Sequence, residues 1–134
     1  MRWKVTNVTR GKLLADRAER AASFVDRFMG LMGRRSLAFG EGMHITPCNS
    51  IHTFFMRIPI DVAFLDPEGL IVKQIPAMPP WRVSSVYFKA HSVLELPAGA
   101  LAGSQTQEGD RLHFEPSEPP GQQPSPKKSG DSTA

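Results

Sequence analysis

Apolar and polar positions alternate with a period of two through "WKVTNV" at 3–8, and the β-branched residues there predict a strand. Thr9, Arg10 and Gly11 supply turn chemistry into a second segment from Lys12. Two tendencies conflict in that segment. "LLADRAERAA" is rich in Ala, Glu and Arg and by propensity favours helix, whereas the preceding turn favours a hairpin. We read 12–19 as strand. Ser23 and Asp26 then resemble a capping pair, with Phe24, Phe28, Leu31 and Met32 at helical spacing behind them. A short amphipathic helix is predicted, with Gly33 able to end it and Arg34 and Arg35 placed where cations suit the carboxyl end of the helix dipole.

Further along, "IDVAFLDPEGLIVKQI" at 60–75 carries the clearest hairpin signal: two β-branched and aromatic runs joined by Asp-Pro-Glu-Gly. "PAMPPW" breaks regularity, "SVYFKA" and "SVLEL" predict further short strands, and Gly109-Asp110 turns the chain into a closing strand "RLHFE". Five or more short strands with one helix define an α+β, mainly β domain. We expect a small curled antiparallel or mixed sheet, or a barrel-like domain, with the helix covering one opening. Strands and helices do not alternate regularly and no Gly-rich phosphate-cradling turn follows a strand, which argues against a parallel α/β fold.

Length and composition fit this picture. A chain of 134 residues, 40% hydrophobic and 22% charged, suits one soluble domain with a real core. We expect that domain over residues 1–115. From Pro116 to residue 134 the chain is rich in Pro, Ser and Gly, with no aromatic or large aliphatic residue to bury, and is expected to be a disordered tail. The first residues hold charges every few positions and no apolar run for a signal peptide or span, so the cytoplasm and no membrane partner are expected. Net charge is +3 but uneven: nine Lys/Arg against three Asp/Glu over 1–35, five against eight over 36–115. The basic residues 1–35 raise nucleic-acid binding as a third possibility. A solvated charged face explains them better, because they lack the interleaved aromatics of a single-strand platform.

Candidate chemistry concentrates in "HITPCNSIHTFFM" at 44–56, which holds the single cysteine and two of the four histidines. His44, Cys48 and His52 are each four residues apart. On a helix neighbours would lie about 6 Å apart and could close on zinc. On a strand they would be about 13 Å apart, too far to share an ion. Pro47, Ile45, Thr46, Ile51 and Thr53 favour the extended chain, so no metal or cofactor is expected unless "PCNS" bends sharply. A strand over 50–57 would turn Ser50, His52, Phe54 and Met56 to one side, a mixed row suited to a lined pocket.

The motifs "GLMGRRSL", "GM", "CNSIHTFFMRIPIDVAFLD", Gly69, "VLELPAG" and "GD" at 109–110, in that order, resemble the family called domain of unknown function 192. The resemblance spans about residues 10–115 and implies a compact domain built largely of strands, with no established reaction. Its signature polar positions fall on Ser50, His52, Asp61, Glu95 and Arg34. Asp61 and Glu95 sit where an unpartnered charge is costly. Either one pairs with His52 as an acid/base dyad, or Asp61 accepts backbone hydrogen bonds while Glu95 pairs with Arg34 or Arg57. The preferred expectation is a binding or accessory module for a small ligand or protein, using Ser50, His52, Phe54, Met56 and Arg34, with Trp81 as a rim anchor. The alternative is a hydrolase-like or thiol-dependent enzyme using His52 with Asp61, Glu95 or Cys48.

Overall fold

The short β-branched runs assemble into a seven-stranded sheet in the computed structural model, which describes residues 2–21 and 36–117. The strands are β1 (Arg2–Asn7), β2 (Lys12–Ala21), β3 (Gly40–Ile45), β4 (Ile60–Leu65), β5 (Ile71–Met78), β6 (Ser92–Pro97) and β7 (Leu112–Ser117). A four-residue helix, α1 (Ala100–Gly103), lies between β6 and β7. The order across the sheet is β5-β4-β6-β3-β2-β1-β7. Every neighbouring pair is antiparallel except β2 and β3.

The sheet curls without closing. Its two edges meet through an isolated bridge between Leu70 and Arg111, and no ladder continues from that point. The domain is therefore mainly β and strongly curved, as the strand count predicts.

Central strands are buried on both faces, which is why β4 "IDVAFL" reads as a continuous apolar run rather than an alternation. On one face Ala63, Leu65, Leu94 and Leu96 pack with Val5, Leu14, Ala18 and Leu101. On the other Ile60, Val62, Phe64 and Val93 pack with Met43, Ile45, Ile51, Met56 and Met78. That second face is covered by two irregular segments, 46–59 and 79–91, running side by side: Cys48 N–H donates to His91 O, Tyr87 N–H to Asn49 O and Ser84 N–H to Ile51 O.

Both predicted hairpins form. The strand reading of 12–19 holds, and β2 continues to Ala21. The Asp66–Gly69 turn is closed by Gly69 N–H on Asp66 O, while the Asp66 carboxylate accepts from Glu68 and Leu70 N–H. Gly69 sits at φ 87, and a Cβ there would lie 2.6 Å from Leu112 O. β7 carries Pro116 and Ser117; the rest of the expected tail, and the predicted helix with Arg34, lie outside the described residues.

Two strand expectations are corrected. "SVYFKA" is not a strand: Ala90 N–H turns back on Tyr87 O, and the Ser84 hydroxyl rather than a main-chain carbonyl accepts from Ile51 N–H. Residues 50–57 do not form a regular strand either. The chain is extended only as far as His52, which makes an isolated bridge to Val83, and it turns at Phe54 and Phe55. The turn sends Met56 into the core, so the row Ser50, His52, Phe54 and Met56 does not share one side.

Candidate functional site

The turn in the signature segment is built around Thr53, which is fully buried. Its main chain donates to Arg82 O and accepts from Trp81 N–H and Met56 N–H. Its hydroxyl donates to Pro79 O at 2.7 Å and accepts from Arg82 N–H at 2.9 Å. One small side chain thus ties the 50–57 segment to the 79–82 segment.

Above this knot stand the aromatics. Phe55 (φ 67) and Trp81 (φ 64) both hold left-handed backbone, which costs an ordinary L-residue about 1–2 kcal/mol. Both side chains are more than half exposed. Their rings are 4.8 Å apart, Phe54 stacks 5.8 Å from Trp81, and His52 stacks 4.9 Å from Phe54. Val83, bridged to His52, is also exposed. The result is a ridge of rings whose positions are fixed by hydrogen bonds beneath them.

The remaining sequence-predicted site residues are dispersed. His52 is exposed, and its Nδ1 accepts from Phe54 N–H. Asp61 is buried in β4 and accepts three main-chain N–H groups, from Ala77 (2.8 Å), Gly99 (3.1 Å) and Leu101 (2.9 Å). It thereby caps α1, whose own N-cap residue, Gly99, has no side chain to do so. Glu95 is buried on β6 opposite Met43 of β3 and Val62 of β4. It has no hydrogen bond or ion pair among the described residues, and burial pushes its carboxyl up to about 8. At neutral pH it therefore holds its proton. Neither acid pairs with His52, and Glu95 does not pair with Arg57. Cys48 lies beyond the cis Thr46–Pro47 bond, half-buried, with its Sγ donating to Ser50 O at 3.0 Å.

The His44, Cys48 and His52 trio does not converge. His44 points from β3 to the face shared by its cross-strand neighbours Arg20 and Leu94. Phe114 stacks on it at 4.2 Å, and its Nδ1 accepts from Arg20 Nε at 3.2 Å, so the neutral ring carries its proton on Nε2. Nε2 is buried without a hydrogen-bond partner among the described residues. Burial first, then the charges of Arg20 and His91, lower its pKa to about 4. Among the described residues no three His, Cys, Asp or Glu side chains are grouped to hold a metal ion.

Sequence reasoning missed two groups. Thr53 gave no signal, because its partners come from a segment 26 to 29 residues away. The buried network of Asn7, Thr106 and Asp110 gave one, the "GD" motif. Asp110 accepts from Arg10, Asn7 and Gln107 N–H, and the Arg10 bond leads in holding its pKa down at about 2.

Fold and site together define a curled, open-sheet β domain that displays an aromatic ridge held on a buried threonine. The chain belongs to the DUF192 family, described as an uncharacterized ACR, whose pattern matches residues 5–114. Similar curated proteins include the UPF0127 proteins of Pyrococcus furiosus and Thermococcus kodakarensis. That of Pyrococcus furiosus is 33% identical over 111 residues, covering 81% of this chain and 95% of the relative. That of Thermococcus kodakarensis is 30% identical over 118 residues, covering 85% and 74%. Among solved structures, a putative transcription regulator from Sinorhizobium meliloti superposes with a TM-score of 0.73 at 24% identity, covering 84% of this chain and 91% of that one. A protein of unknown function from Novosphingobium aromaticivorans gives 0.72 at 22%, covering 83% and 82%. These two establish likeness of fold. Among the described residues, no helix is long and apolar enough to cross a membrane.

Proposed function

We propose that this protein is a binding or accessory module whose contact face is the ridge formed by Phe54, Phe55, Trp81 and Val83, with His52 beside it. The observation that carries this reading is the strained display of Phe55 and Trp81. Two large side chains are held half-exposed in left-handed backbone by a buried threonine knot. Strain of about 1–3 kcal/mol per residue persists only where surrounding structure enforces it, and rigid aromatic anchors lose little entropy on contact. Exposed aromatics of this kind dominate interface energetics.

The reading is tested by titrating apolar and aromatic fragments into isotope-labelled protein and following amide shifts. Perturbations centred on residues 52–56 and 79–84 are expected. Shifts centred instead on the 370 Å³ groove between β2, Phe39 and α1 would overturn it.

A further inference from the structure

The two segments that carry the ridge are free of acids. No Asp or Glu occurs over 42–60 or over 69–94. Within 36–115 all eight acidic residues therefore lie off the covering segments 46–59 and 79–91, while three of the five Lys/Arg, namely Arg57, Arg82 and Lys89, lie on them. All three are exposed, and none has a carboxylate partner among the described residues. The same segments hold five of the eight exposed large apolar side chains of the described residues: Phe55, Trp81, Val83, Val86 and Phe88. Within 36–115, positive charge and apolar surface are therefore concentrated on one layer and the acids lie outside it.

We infer that the partner of the ridge is an acidic polypeptide segment with interspersed apolar anchors. This rests on the reading of the ridge as a contact face and adds the chemistry of what it meets. Each strained aromatic is followed closely by a cation, Phe55 by Arg57 and Trp81 by Arg82. An anchor side chain set against the rings brings neighbouring carboxylates within reach of guanidinium groups, which bind them through paired hydrogen bonds. The surrounding positive potential speeds encounter and rejects basic segments. A second copy of the same face is disfavoured, because like charges would meet. A single-stranded nucleic acid is disfavoured because Phe54, Phe55 and Trp81 pack on one another, which occupies ring surface that bases would need.

The test uses full-length protein carrying Trp3→Phe, which leaves Trp81 as its single tryptophan and keeps an aromatic ring under Arg20. Trp81 emission is titrated with short synthetic peptides alternating leucine with glutamate, and with versions carrying glutamine or lysine instead. The glutamate peptide is expected to bind about tenfold more tightly than the glutamine peptide at low salt, with the advantage shrinking as salt rises. Arg57→Gln with Arg82→Gln should abolish that preference while the far-ultraviolet spectrum and melting temperature hold. Equal affinity for glutamate and glutamine peptides would overturn the inference and leave the contact-face reading standing. Failure of every peptide to perturb Trp81 would remove both. Binding to phosphatidylglycerol vesicles without binding to the glutamate peptide would overturn the inference in favour of a lipid surface.

Discussion

Phe55 and Trp81 occupy backbone that glycine adopts freely, so the price of their side chains is measurable. Phe55→Gly is expected to be more stable than Phe55→Ala by about 1 kcal/mol, since both lose the ring but only alanine keeps the steric penalty. Urea midpoints for the two variants decide it, and equal midpoints would mean that the site is relaxed. Glu95 makes a second residue-scale prediction. Its folded pKa of about 8 lies above its ordinary value of 4.5, so the folded state holds a proton that the unfolded chain releases. Its stability contribution is complete below about pH 4.5 and is lost as pH rises through about 8. Glu95→Gln should therefore gain in melting temperature relative to the parent between pH 5 and 9, whereas parallel profiles would show that the carboxyl is ionised without penalty.

At the scale of elements, single side chains fasten segments that local sequence leaves apart. Thr53→Val removes a hydroxyl bonded to both Pro79 O and Arg82 N–H, and leaving those groups unmet should cost about 1–3 kcal/mol in chemical denaturation. Asp61→Asn weakens the hold on Ala77, Gly99 and Leu101 N–H, and a loss of about 2–4 kcal/mol is expected from bonds to a charged acceptor. Gly69→Ala meets both a positive φ and the carbonyl of Leu112, and a clear drop in melting temperature should follow. The hairpins were legible because alternation and turn residues are local signals, as at 60–75. Residues 50–57 were not legible. Their β-branched residues favour a strand, but Thr53 bonds the chain to the 79–82 segment and the backbone turns at Phe55, a choice made by contacts distant in sequence. Asp61 was legible as a carboxylate in need of partners, whereas the identity of those partners depends on where α1 docks.

For the whole molecule, the freedom of segments 46–59 and 79–91 from acids matters more than the net value of +3. Because Trp81 is more than half exposed, Trp81→Ser should leave stability within about 1 kcal/mol of the parent while weakening any ridge contact. A large loss of stability would instead make that ring part of the core. The sheet order has a different kind of consequence. β7, the last of the described strands in chain order, pairs along its length with β1, the first of them, from Arg2–Ser117 to Asn7–Leu112. A nascent chain leaving the ribosome therefore carries one side of β1 unzipped until β7 emerges. An open strand edge of this kind invites pairing with neighbouring chains. Premature termination before residue 112 would leave β1 with a sticky flank, which makes synthesis of β7 the step that seals that side of the sheet.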